Sequence, residues 1–290
     1  MNRGTGQRLL TGAALIPVFV ATVWLAPNWV VATVAAGIAV VALSEFFAMG
    51  ERMGFRAYHV WTYLAALGMM AEQWWAAQAA SPARLGELLY RARAPQPELG
   101  LVLVGFIFGA AVITVCSRRP LAEALPSVSV SAAGLVLVVL PFSAVVRLHG
   151  VDVVGPKLLL FTLTMVWAGD TAAYFAGRGF GKFKMSPQLS PGKTWEGAVA
   201  NLLAALLVAA LFGYWMRLSP VHMLAMGVAG SVAGQLGDLF ESAFKRSAGV
   251  KDSGTLLPGH GGILDRIDAL IFAAPAVWYY FEWIVTRRVY

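Results

Sequence analysis

Long apolar runs separated by short polar stretches set the character of this chain. A helix needs about 20 mostly apolar residues to cross a bilayer. Nine runs come close to that length, at about 9–27, 29–49, 60–80, 100–116, 127–146, 158–177, 197–217, 222–240 and 263–285. The pattern predicts an all-α fold, a polytopic integral membrane helix bundle of about nine transmembrane helices. The third run is the weakest, because Glu72 and Gln73 interrupt it. The segment 81–99 is polar, and Pro95 and Pro97 end any helix in it. Residues 1–150 are expected to form an N-terminal scaffold of about five helices. Residues 151–290 are expected to form a catalytic region of about four, with polar loops at 178–196 and 241–262.

Composition agrees with the pattern. The chain is 59% hydrophobic and 13% charged, where soluble domains carry roughly 25% charged residues. The opening MNRGTGQR and the run behind it read as an uncleaved first span. That run reaches about Pro27, beyond the ~7–15-residue core of a signal peptide. A single cysteine, Cys116, excludes an intramolecular disulfide and any Cys/His metal pattern. The net charge of +7 suits anionic headgroups and equally an anionic substrate, and the same charges also serve topology. No basic or aromatic-basic stripe lies outside the apolar runs, so nucleic acid is not an expected partner.

With the N-terminus in the cytoplasm and nine alternating spans, 13 Lys and Arg fall on the cytoplasmic side and 8 opposite. Both rich polar loops are then cytoplasmic, and the expected location is a multi-pass protein of the cytoplasmic (inner) membrane with its site facing the cytoplasm. Eight spans would instead bring the C-terminus inside.

The chemistry concentrates in the second half. The stretch 242–268, SAFKRSAGVKDSGTLLPGHGGILDRID, carries Ser242, Lys245, Arg246, Lys251, His260, Gly261, Gly262 and the aspartates Asp252, Asp265 and Asp268. If the preceding helix continues past the membrane edge, Gly234, Asp238, Glu241, Ser242 and Lys245 share one face. Asp238 lies inside an apolar span, where an ionisable residue is a functional hypothesis by default; an ion pair with Lys245 or Arg246 is the alternative. Asp265 and Asp268, at i and i+3, share a face at the start of the next helix. Three carboxylates at similar depth are hard oxygen ligands suited to magnesium; snorkelling helix-end charges are the alternative.

The glycines of PGHGG allow close backbone approach, and the helix start behind them favours an anion. His260 is as readily a capping or packing residue as a catalytic one. In the other loop, Asp170 and Tyr174 share a face, followed by Ser190, Lys193, Thr194 and Glu196. SPGKT is not a phosphate-binding P-loop, since Pro187 stands where the first glycine belongs. Lys193 is a candidate phosphate contact or, like Lys182 and Lys184, a topology charge.

These residues resemble the signature of the phosphatidate cytidylyltransferase (CDP-diacylglycerol synthase) family: Ser-x-x-Lys-Arg, Lys-Asp, His-Gly-Gly, then Asp-Arg-x-Asp. Ser242, Lys245, Arg246, Lys251, Asp252, His260, Gly261, Gly262, Asp265, Arg266 and Asp268 match it, and WAGDTAAYFAGRGFGK and SPGKTWEG are similar to further family motifs. The resemblance covers about residues 165–285. It implies magnesium-dependent transfer of CMP from CTP to phosphatidate, giving CDP-diacylglycerol and pyrophosphate in phospholipid biosynthesis. It also implies that Asp238 and Asp265 hold the metal or a pair of metals, with Asp268 a further ligand or an orienting group. Lys193, Lys245, Arg246 and Arg266 would then cradle phosphates, with Asp170, Ser190, Thr194 and Ser242 lining the site.

Competing readings are a transporter or channel using Asp170, Asp238 and Asp265 as an ion path, and a structural membrane protein; neither accounts for the Lys/Arg/His/Gly-rich loop. A CDP-alcohol phosphotransferase needs a motif this chain lacks, while a relative acting on another lipid phosphate stays open. Frequent Ala and Gly in the spans allow close packing within a chain or between two, so a homodimer is one arrangement they permit.

Overall fold

In a bilayer every backbone N–H and C=O must be satisfied internally, so apolar runs of this length become helices. The computed structural model describes residues 20–79, 98–256 and 261–286. Residues 20–25 are helical, and eight helical segments follow them: α1 (Asn28–Arg52), α2 (His59–Ala79), α3 (Leu99–Cys116), α4 (Leu121–His149), α5 (Gly155–Phe180), α6 (Trp195–Met216), α7 (Pro220–Ser247) and α8 (Leu264–Tyr280). Six of them, α1 and α3 to α7, are long and apolar enough to cross a membrane. Two of the nine expected spans fall short of that measure. α2 carries His59, Glu72 and Gln73, and the regular part of α8 has 17 residues before a π turn at Phe281–Val285. Most of the expected first span lies outside the described residues.

Two boundaries differ from expectation. α7 runs on to Ser247, so the loop expected from 241 begins only after that residue. The segment ESAFKRS contains no helix breaker, and an i,i+4 pair of Glu241 and Lys245 supports the added turns. Likewise α5 extends to Phe180, and the expected loop 178–196 folds as a two-stranded antiparallel hairpin of β1 (Lys184–Ser186) and β2 (Ser190–Thr194). Among the described residues the fold is therefore all-α with one small hairpin. α4 is interrupted by a π turn at Leu135–Val139 just ahead of Pro141, where the ring removes a helix N–H.

α8 is the central helix. It packs against α7, α5, α4 and α1, and Ala273, Ala274 and Val277 have no exposed surface. Small residues let α7 approach it closely: a side chain at Gly237 would come within 2.6 Å of the Asp268 carbonyl oxygen. That approach brings Asp238, the next residue, alongside the start of α8. The ends of α1, α5 and α7 and the starts of α6 and α8 gather at one end of the bundle, the polar end.

Candidate active site

The hairpin wall is built first from local hydrogen bonds. Thr194 caps α6, its hydroxyl accepting from the Gly197 amide at 3.1 Å. Glu196, in the first turn of α6, accepts from the amides of Lys182 (2.9 Å) and Phe183 (3.2 Å), which pins the chain entering β1. Arg246 at the end of α7 donates to the carbonyl of Leu189 in the hairpin turn, at 3.1 Å. Held this way, Lys193 of β2 reaches across to α7 and pairs with Asp238, Nζ to Oδ2 at 2.7 Å.

Below it lies a buried charge cluster. Lys245 pairs with Glu241 at 2.5 Å and with Asp265 Oδ1 at 2.6 Å, and all three side chains are at most 10% exposed. The other oxygen of Asp265, Oδ2, accepts from the Ser253 amide (2.9 Å) and the Gly262 amide (2.8 Å), and the Ser253 hydroxyl, with a single proton to give, lies 2.9 Å from it. Gly261 makes this turn possible: its φ of 77° lies in the left-handed region, and a Cβ there would sit 2.7 Å from Asp265 Oδ2. The glycine pair thus serves the Asp265 carboxylate.

A third group joins three helices. Asn201 of α6 donates to Asp170 of α5 at 3.4 Å, while its carbonyl oxygen accepts from Ser231 (2.8 Å) and Gln235 (3.3 Å) of α7. The amide fixes Asp170 at the mouth of the site.

Of the other expected site residues, Asp268 lies on the same cavity as Asp238 and accepts from the Ala269 amide at 2.7 Å. Ser190 opens β2 and is half-buried, Ser242 is buried on α7, and Lys251 is exposed in the loop beyond it. Arg266, next to Asp265 in α8, lines a second cavity. His260 lies outside the described residues.

Four participants escape the sequence pattern: Glu45, Asn201, Gln235 and Ser253. Glu45 interrupts the apolar run ALSEFFAMG, and the rule that marks Asp170 and Asp238 as polar residues inside spans marks it too. Asn201 and Gln235 carry the same signal more weakly, and nothing in the sequence ties Ser253 to Asp265.

Two cavities meet at Asp170. One, of about 610 Å³, is polar and takes in Lys193, Asn201, Asp238, Asp265 and Asp268. The other, of about 630 Å³, is walled by Leu159, Leu163, Val166, Ile267 and Leu270, with Arg266 near its polar end. Along α5 it extends from Asp170 to Leu159, about 16 Å at 1.5 Å per residue.

The donor set of the polar cavity is carboxylate oxygen. Among the described residues no three His, Cys, Asp or Glu side chains converge to hold an ion. Magnesium is commonly held by one or two carboxylates, with waters and substrate phosphates completing its shell. The residues present fit such an ion.

A helical membrane protein with a carboxylate-and-lysine cavity beside an apolar one is the class these features define. Residues 6–284 match the Cytidylyltransferase family, and the chain belongs to it. Among curated relatives, a phosphatidate cytidylyltransferase of Haemophilus influenzae is 45% identical over 137 residues, covering 45% of this chain and 48% of the relative. The phosphatidate cytidylyltransferase of Bacillus subtilis is 40% identical over 140 residues, 48% of this chain and 52% of the relative. That of Brucella suis is 38% identical over 185 residues, 61% and 64% of the two chains. The matched segments span between about half and just under two thirds of these relatives' lengths.

Proposed function

We propose that this protein transfers the cytidylyl group of CTP to phosphatidate, releasing pyrophosphate and forming CDP-diacylglycerol. The observation that carries the proposal is the meeting of the two cavities at Asp170. A soluble, highly charged nucleotide and a lipid with an anionic head need adjoining polar and apolar chambers at the membrane surface. The family and the named activity of the similar proteins support the same reading.

The lipid phosphate is already a nucleophile, so no serine or cysteine nucleophile is needed. One of its oxygens attacks the α-phosphorus of CTP in line. The new P–O bond forms as the bond to the β-phosphate bridging oxygen breaks, and pyrophosphate leaves with that electron pair. Such transfers depend chiefly on positioning and charge neutralisation. Lys193 holds the nucleotide phosphates from the hairpin, and Arg266, beside the apolar cavity, receives the lipid phosphate. Asp238, with Asp265 and Asp268 behind it, would hold Mg2+, which offsets phosphate charge when bound. The polar end faces the cytoplasm, where CTP is, with the bundle in the inner membrane.

The proposal is tested with purified protein in nanodiscs, CTP, Mg2+ and a panel of lipid phosphates, following pyrophosphate. Release that requires phosphatidate is expected. Equal release with a lipid phosphate of another class, or none with any, would overturn the assignment.

A further inference from the structure

Glu45 lies in α1, 208 to 219 residues from its partners in the motif stretch, yet its side chain ends among them. Oε1 accepts from the Ile263 amide at 3.0 Å. Oε2 accepts from the Leu264 amide at 2.8 Å and from the Ser253 hydroxyl at 3.0 Å. The residue is 7% exposed. Two of its donors are amides at the N-terminus of α8, groups that no intrahelical acceptor can reach. The third, Ser253, is shared, because the same hydroxyl lies 2.9 Å from Asp265 Oδ2. The surrounding chain is shaped to this carboxylate. A Cβ at Gly254 would come within 2.5 Å of Oε1, and one at Gly262 would collide with Oε2.

We propose that Glu45 is a positioning residue for the reaction: through Ser253 and the first turn of α8 it sets where Asp265 stands against Lys245. The N-terminal region therefore contributes to the site as well as to the scaffold. The claim rests on the cytidylyl-transfer reading for its kinetic consequence, while its structural consequence is independent of that reading. A carboxylate accepts at both oxygens, whereas the isosteric amide of glutamine must turn its NH2 toward a backbone amide donor whichever way it lies, that of Ile263 or that of Leu264. Aspartate keeps the charge and both acceptors but is one methylene shorter. A packing role and an acceptor role therefore predict opposite orders for the two variants.

The test uses the full chain in nanodiscs, as parent, Glu45→Gln, Glu45→Asp and Ser253→Ala. Backbone hydrogen exchange over residues 250–266 is read alongside steady-state kinetics with CTP and phosphatidate. Glu45→Gln is expected to speed exchange at residues 253 and 263–264 by roughly tenfold or more, as local opening becomes easier. It should lower kcat roughly 10–100-fold, as losing an outer-shell partner of a ligand does, and leave the CTP KM within about threefold. Glu45→Asp should fall between parent and Glu45→Gln in both readouts, and Ser253→Ala should shift both in the same direction. Parent-like exchange in Glu45→Gln, or a Glu45→Asp variant more impaired than Glu45→Gln, would overturn the proposal. An inactive parent would contradict the proposed function instead, and the exchange data would still decide the anchor.

Discussion

Replacing Asp238 with alanine should reduce CDP-diacylglycerol formation by about 10²–10³-fold, the scale lost when stabilisation of transition-state charge is removed, here by the ion that Asp238 would hold. The residue is a half-buried carboxylate between two features of the site. Its Oδ2 is 2.7 Å from Lys193, and it shares a cavity with Asp170, Asp265 and Asp268. In the structure Lys193 pairs with Asp238; under the proposed function CTP phosphates would draw the lysine away and leave the carboxylate to hold Mg2+. Lys193→Ala should accordingly raise the CTP KM as well as lower kcat, whereas Asp238→Asn should leave little turnover to measure. Size-exclusion behaviour in detergent separates these effects from misfolding. A monodisperse Asp238→Ala protein turning over at near-parent rate would remove the basis for the role assigned to this residue.

Replacing Lys245 should have its largest effect on stability. Its side chain is 10% exposed and its ammonium lies between Glu241 and Asp265, whose side chains are 7% and 9% exposed. Removing one partner of a buried charge cluster leaves the others uncompensated, at a cost of about 3–5 kcal/mol. For a chain of this size that corresponds to a fall in Tm on the order of 10 °C. The two carboxylates are not equally exposed to the loss. Asp265 keeps the Ser253 and Gly262 amides as donors, while among the described residues the ion-pair partner of Glu241 is Lys245. Lys245→Met combined with Glu241→Gln should therefore recover more than half of the loss that Lys245→Met causes alone. Thermal unfolding of the detergent-solubilised proteins, followed by tryptophan fluorescence, reads both. A Lys245→Met protein melting at the parent temperature would show that the cluster does not hold the end of α7 to α8.

The carboxylates were legible in the sequence because they break an otherwise apolar pattern next to helix ends. Asp170, Asp238, Asp265 and Asp268 all line the polar cavity. Their division of labour was not legible. Spacing along a helix says which residues share a face, not which oxygen is already taken, and the lone Asp265 carboxylate accepts from Lys245, Ser253 and Gly262 together. The hairpin of β1 and β2 was also hidden, because strands of three and five residues are too short to show an alternating pattern. Glu45 was the largest omission. Its partners lie 208 to 219 residues away, and only the packing of α1 against α8 brings them together. Reading the chain as a scaffold followed by a catalytic region passes over a carboxylate that joins the two.

Transfer of label decides whether this bundle end passes the cytidylyl group of CTP to a lipid phosphate. Purified protein in nanodiscs containing phosphatidate is given Mg2+ and CTP labelled with 32P at either the α or the γ position. α-Label is expected in the lipid fraction and γ-label only in released pyrophosphate, with neither product from Asp238→Ala. Lipid that gains γ-label, or pyrophosphate released without any α-label entering lipid, would contradict cytidylyl transfer.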